Sequence, residues 1–178
     1  DLMANAEVLS IFRARSRVVS GIRAFLNNKG FIEVETPVLV PVPAGAMAQP
    51  FVTKHNALDR TLYLRIATEL YLKRLIVGGM DKVYEIGRVF RNEGIDRDHN
   101  PEFTQVELYA AYQDYQWLMG FTERLIIAAA KSVHEIAKFI HDGQPVKIPN
   151  IFPRIKYREA ILKYAATDID EATDQDLL

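Results

Sequence analysis

Two runs of alternating residues, Lys82 to Arg91 and Glu102 to Tyr112, flank a polar loop that carries Gly94, Asn100 and Pro101. Period-two alternation on both sides of turn residues predicts a long antiparallel hairpin. Side chains two apart on a strand share a face. Phe103, Gln105, Glu107 and Tyr109 therefore line one surface, and Thr104, Val106, Leu108 and Ala110 form the core-facing set behind them. Arg91 and Glu93 can join the first surface from the partner strand. The plain alternative is a solvated face, because antiparallel sheets often show one side to water. Phe103 and Tyr109 would waste apolar area there, whereas a small-molecule site wants flat apolar walls with a few fixed charges. The pattern favours a site without deciding the matter.

The elements around this hairpin follow from periodicity and punctuation. Val8, Ile11, Phe12, Val18, Val19, Ile22, Phe25 and Leu26 recur at helical spacing over residues 6–28, interleaved with Arg13, Arg15, Arg17 and Arg23. Asn27, Asn28 and Gly30 stop that helix. A short strand follows, then a stiff connection with Pro37, Pro41 and Pro43 and a small, flexible segment Ala44 to Ala48. Phe51 to Thr53 and Thr61 to Arg65 predict a second hairpin around Asn56. Thr68 is expected to cap a helix to Val77, ended by Gly78 and Gly79. Asp114 is expected to cap a long helix through His141, closed by Gly143. Its buried stripe is Leu118, Phe121, Leu125, Ile126, Ala129, Val133, Ile136 and Ile140. A short extended piece and a helix around Glu159 to Tyr164 come next. The acidic tail from Thr167, with Asp168, Asp170, Glu171, Asp174 and Asp176, reads as a poorly ordered end.

Composition narrows the function classes. A chain of 178 residues reads as one domain large enough for a real core. A net charge of −1 gives no basic footprint for wholesale nucleic-acid binding. The absence of cysteine removes disulfide frameworks and thiolate metal sites, and it fits a reducing cytosol. No apolar run approaches the length of a membrane span, and the residues ahead of the first helix do not read as a charged-then-apolar leader. The chain opens at Asp1 rather than methionine and reads as an excised piece.

The run Phe90-Arg91-Asn92-Glu93-Gly94, followed by His99-Asn100-Pro101-Glu102-Phe103-Thr104, resembles motif 2 of the class II aminoacyl-tRNA synthetases. Its wording is similar to that of the lysyl-tRNA synthetases. Gly30-Phe31-Ile32-Glu33-Val34-Glu35-Thr36-Pro37 is similar to motif 1, whose proline ends a strand at the dimer interface. Leu62 to Ala67 and Glu69 to Arg74 also match the lysine family. The resemblance runs from the first residue to about Tyr115 and fades beyond it.

This resemblance implies an α+β fold, an antiparallel sheet flanked by helices, as part of a class II catalytic domain. Residues 1–178 would be the N-terminal part of that domain, with motif 1 at about 10–37 and motif 2 at about 82–112. The glycine-rich motif 3, the magnesium ligands and the anticodon-binding barrel match nothing in this chain. The implied activity is ATP-dependent activation of lysine and its transfer to tRNA, with Mg2+ bridging the phosphates. Arg91 matches the arginine that contacts the α-phosphate and the amino-acid carboxylate. Glu93 matches the receiver of the adenine amino group, Phe103 the aromatic stacked on adenine, and His99 the residue reaching the γ-phosphate, with Asn100 beside it. Gly45, Glu69, Arg91, Glu107 and Tyr109 match lysine-pocket positions. Without the resemblance, Glu69 reads equally as a first-turn glutamate favoured by the helix dipole. Arg97 and Asp98 are expected to face water, and His55, His134 and His141 match nothing catalytic.

Two positions depart from the family wording: Thr68 stands where many relatives have proline, and Gln105 where many have methionine. The first is expected to change only how the helix starts, the second to alter adenine or loop packing. The implied partners are lysine, ATP, tRNA and a second copy of the chain through the motif 1 region, in the cytoplasm and not at a membrane. Two alternatives stand beside the ligase reading. One is a lysyl-tRNA-synthetase-like paralogue that lysylates a translation elongation factor; the other is a non-catalytic dimerising module. The fragment alone is expected to be inactive.

Overall fold

The computed structural model describes residues 1–134, 138–141 and 143–172. These fall into two compact units, Asp1–Ala137 and Lys138–Leu178. The elements mix helices with small sheets, as expected for an α+β chain.

The first unit opens with helix α1 (Ala6–Asn28). Its end is a full Schellman cap. Gly30 takes a φ of 78°, its N–H donates to the Asn27 carbonyl, and the Phe31 N–H reaches back to Leu26. Leu26 and Phe31, brought together by this cap, both enter the core. Strand β1 (Ile32–Glu33) runs parallel to β5 (Lys82–Phe90), with Ile32 opposite Val83. Strand β6 (Glu102–Ala110) is antiparallel to β5, from Lys82 opposite Ala110 to Phe90 opposite Glu102. This is the hairpin read from the sequence. A separate sheet takes the order β2 (Leu39–Val40), β4 (Arg60–Leu64), β3 (Val52–His55). A 3-10 turn over Asn56–Leu58 joins β3 to β4, and the His55 ring caps it by accepting from Leu58 N–H. The strands of this unit thus form two small sheets, in which the β1–β5 pairing is the parallel one.

The core of this unit gathers Leu26, Phe31, Tyr84 and Phe121, with Ile22, Phe25, Ile86, Leu108, Ala110, Trp117 and Leu125 packed around them. Phe121 is the hub: Trp117 stacks on it with ring centroids 4.7 Å apart, and Phe25 and Phe31 lean on it at 5.3 Å. Aromatic pairs at such distances add to the burial of their area. Tyr84 carries a hydroxyl into this core and donates it to Asn27 and Glu33, each at 2.9 Å. Burial, with help from the neighbouring Glu33 carboxylate, pushes the Tyr84 phenol up to about 12. The face of β6 expected to be wholly core-facing divides. Leu108 and Ala110 pack inward, Val106 stays 37% exposed, and Thr104 accepts from Arg15 at 3.0 Å.

One buried polar cluster ties three segments together. The Arg65 guanidinium donates to Glu85 Oε1 at 2.5 Å, to the Arg88 carbonyl at 2.8 Å and to Thr36 O and Oγ1 at 3.0 Å. Glu85 Oε2 accepts from the Thr36 hydroxyl at 2.6 Å and from its N–H at 3.2 Å. Position 87 must be glycine here, since a Cβ would collide with Arg65 Nη2. The Arg65 carbonyl in turn accepts from the Phe90 N–H at 2.9 Å, one residue before Arg91.

Several expectations need correction. Asp114 does cap helix α3, accepting from Trp117 N–H at 2.8 Å, but α3 (Tyr115–Lys131) stops well short of His141. The Ser132 hydroxyl turns back onto the Ala129 carbonyl, the competition with backbone that weakens helices at serine. Leu118 and Ile126 of the expected stripe are 44% and 39% exposed. Ile136 lies outside the described residues. In the second unit, Ile140 and His141 belong to strand β7 (Lys138–His141), paired with β8 (Gln144–Lys147). Two residues separate the paired His141 and Gln144, and their sequence, Asp-Gly, is the dipeptide that favours tight hairpin turns. Gly143 thus serves a hairpin rather than a helix end. Helix α4 (Tyr157–Ala165) lies where expected. The tail is tied down near its start: Asp168 accepts from Arg158 Nε at 2.7 Å and Nη2 at 2.6 Å. Asp174 and Asp176 lie outside the described residues. Among the described residues no helix is long and apolar enough to cross a membrane.

Candidate functional site

The loop between β5 and β6 and the adjoining strand ends enclose a cavity of about 270 Å³ lined by Arg91, Glu93, Gly94, Asp98, His99, Asn100 and Phe103. All five residues matched to a nucleotide site by resemblance thus share one concave surface. The Arg91 backbone closes the hairpin neck by donating to the Pro101 carbonyl at 2.8 Å. Its guanidinium carbon lies 5.3 Å from the centre of the Phe103 ring, a cation–π placement that fixes the head group on the strand face. Arg91 Nε is buried and meets no acceptor among the described residues. A buried guanidinium N–H without an acceptor is costly and leaves a donor poised for an anion.

The loop is shaped by a residue that pattern reading passed over. Asp96 Oδ1 accepts from the Asp98 and His99 N–H groups at 2.7 and 2.8 Å, and both of its oxygens lie 2.8 Å from His99 Nδ1. The Asp98 N–H first, and then the His99 ring, hold the Asp96 carboxyl below its ordinary range. The chain's Asp-x-Asp-His wording carried that signal, since aspartate accepts from N–H groups two and three residues on. Asp98, expected to face water, is exposed yet forms part of the cavity wall. Gln49 is a further contributor: its carbonyl accepts from Asn92 N–H at 2.8 Å, and its N–H donates to Glu93 at 3.4 Å.

Farther along the same face of β6, the strand rise puts Glu107 about 13 Å from Phe103. Three side chains donate to its carboxylate. Tyr109 reaches Oε1 at 2.8 Å, while Thr68 and Gln105 reach Oε2 at 2.7 and 3.0 Å. Both departures from the family wording therefore act here. Thr68, 3% exposed, makes no side-chain cap on α2 (Glu69–Val77) and instead orients Glu107. Gln105 orients the same carboxylate rather than packing on the nucleotide side. Burial, then the bond to Glu107 and the nearby Glu69 charge, pushes the Tyr109 phenol well above its ordinary value. Glu69 starts α2, and Lys73 Nζ lies 2.5 Å from its Oε1.

Gly45 sits directly against Glu69. Its φ of 92° favours glycine, and a Cβ there would lie 3.0 Å from Ala67 Cβ and 3.2 Å from Glu69 Cβ. Gly45, Glu69, Glu107 and Tyr109 thus form a second, acidic cluster, joined to the first through strand β6, which carries Phe103, Glu107 and Tyr109. Among the described residues no group of three or more His, Asp or Glu side chains is arranged to hold a metal ion. His134 is exposed, and His141 lies on β7.

The family described as class II tRNA synthetases (D, K and N) matches residues 1–177. The chain is 50% identical, over its whole length, to a lysine–tRNA ligase of Thermoanaerobacter pseudethanolicus, of which it covers 36%. It is 52% identical over its whole length to one of Magnetococcus marinus, covering 36% of it. It is also 52% identical over 99% of its length to one of Burkholderia ambifaria, covering 35% of it. The chain thus spans about a third of the length of these curated relatives.

Proposed function

Since this chain belongs to the class II tRNA synthetases of the D, K and N group, we propose that it is a segment of a lysine–tRNA ligase carrying motifs 1 and 2 of its catalytic domain. The observation that carries the choice of lysine is the acidic cluster. Glu107, aimed by Thr68, Gln105 and Tyr109, stands with Glu69 beside a close-packed Gly45. Within a group named for D, K and N, two fixed carboxylates suit a cationic amino acid and repel an anionic one. The relatives that are lysine–tRNA ligases point the same way.

In this reading the lysine carboxylate attacks the α-phosphorus of ATP in line and pyrophosphate leaves. A terminal ribose hydroxyl of tRNA then displaces AMP from the mixed anhydride. Nothing on the enzyme acts as nucleophile; the chain supplies position and charge. Arg91 holds the reacting carboxylate and the α-phosphate together, and its acceptor-free Nε supports that role. Phe103 stacks on adenine, Glu93 accepts from its amino group, and His99 and Asn100 face the distal phosphates. Magnesium would neutralise the phosphates, held by residues other than those described. The active form is taken to be a cytoplasmic homodimer through residues 6–37.

The test is Glu107→Gln in the full-length protein, assayed by pyrophosphate exchange. Loss of a charge-assisted bond to the ligand ammonium should raise the KM for lysine about 10- to 100-fold, with the KM for ATP little changed. If only the ATP constant moves, Glu107 belongs to the nucleotide half and the lysine pocket is misplaced.

A further inference from the structure

Glu69 already has a cation. The Lys73 ammonium, one turn along α2, lies 2.5 Å from Glu69 Oε1 and 5.8 Å from the centre of the Tyr109 ring. Glutamate–lysine pairs four apart on a helix are common and weak. This pair differs through its third member, because Tyr109 comes from β6 and its hydroxyl is bonded to Glu107. The lysine head therefore stands between a carboxylate and an aromatic face of the acidic cluster. Those are the two features an incoming ammonium would use. The backbone at Gly45 packs closely on the stem of Glu69, where an added Cβ would lie 3.2 Å from the Glu69 Cβ, so that carboxylate is held in place beside Lys73. Two like charges cannot share the space between Glu69 and Tyr109.

We propose that Lys73 is a resident counter-ion of the acidic pocket, a tethered competitor that must swing off Glu69 before a ligand ammonium can settle there. This rests on the reading of the pocket as the lysine site. In the empty pocket Lys73 offsets the neighbouring charges of Glu69 and Glu107. Its side chain is 53% exposed against 32% for Glu69, so the lysine can move into water while the carboxylate stays behind. The competition lowers affinity by no more than the worth of a partly exposed ion pair, about 2- to 5-fold in binding.

Lysine titrated calorimetrically into the full-length protein tests this, with Lys73→Met retaining the stem and removing the charge. The dissociation constant should fall about 2- to 5-fold, while Lys73→Arg should stay near the wild-type value. An unchanged or raised constant in Lys73→Met overturns the inference and makes Lys73 a support for Glu69 instead. Glu69→Gln, titrated alongside, separates the two levels. Loss of lysine binding there upholds the pocket whatever Lys73→Met does, and an unchanged constant removes both the pocket and its counter-ion.

Discussion

Replacing Glu85 by alanine would strand the Arg65 guanidinium, which is 3% exposed and anchors the strand that leads to Arg91. Removing one partner of a buried ion pair costs about 3–5 kcal/mol, because the remaining charge stays buried without compensation. Arg65 would keep the Arg88 and Thr36 carbonyls as acceptors, at 2.8 and 3.0 Å, which argues for the lower end, about 3 kcal/mol. Thr36 would lose the acceptor for its N–H and its hydroxyl, adding a smaller penalty. Against a total of about 5–15 kcal/mol for an ordinary domain, that is a large share. Urea unfolding followed by tryptophan fluorescence reads it directly, since Trp117 is the chain's single tryptophan and stacks on the core hub Phe121. The double variant Arg65→Met with Glu85→Leu should recover much of the loss, as buried ion pairs replaced by apolar residues often do. A Glu85→Ala variant within about 1 kcal/mol of wild type would refute the account. So would a double variant as unstable as the two single losses added together.

Arg91→Ala in the full-length protein should lower lysine-dependent pyrophosphate exchange about 10²- to 10³-fold, the usual effect of losing a preorganised donor. Near-normal exchange from a folded variant would remove Arg91 from the chemistry. The Arg23 guanidinium, bonded to Glu33, holds that carboxyl below its ordinary value of 4.5. A depressed carboxyl contributes stability above its unfolded value and loses it as pH falls through the folded one. Glu33→Gln should therefore be less stable than wild type at neutral pH, with the gap closing well below pH 4.5; a gap of equal size in acid would contradict this. Ile11, Phe12 and Ile32 are 66%, 58% and 52% exposed along the segment proposed as the dimer interface. Sedimentation equilibrium should show a dimer that Phe12→Asp dissociates, and a strictly monomeric wild type would end that proposal.

The hairpin and its polar face were legible because alternation with a period of two leaves little choice of partner face once turn residues flank it. The two ends of that face also separated cleanly, Phe103 toward the cavity and Glu107 toward the acidic cluster. What escaped the sequence were contacts between distant segments. Thr68 looks like a helix cap because threonine before an apolar run usually is one. Only the nearness of β6, 39 residues on, redirects its hydroxyl to Glu107. Arg65, Glu85 and Thr36 likewise carry no local sign of being buried together. The extension of α3 to His141 failed for another reason. Val133, Ile136 and Ile140 fit helical spacing, but the Asp-Gly pair just beyond them favours a tight hairpin turn, which suits strands on either side.

The parallel pairing of β1 with β5 also has a history in time. Phe25, Leu26 and Phe31 leave the ribosome before their partners Tyr84 and Phe121, which are made some 50 to 95 residues later. At ordinary rates of synthesis that interval is on the order of 3 to 20 s. Throughout it the apolar side of α1 waits for these core partners, whereas β5 and β6 can zip together in microseconds once both exist. A helix made ahead of its core partners is therefore among the later elements to find its place.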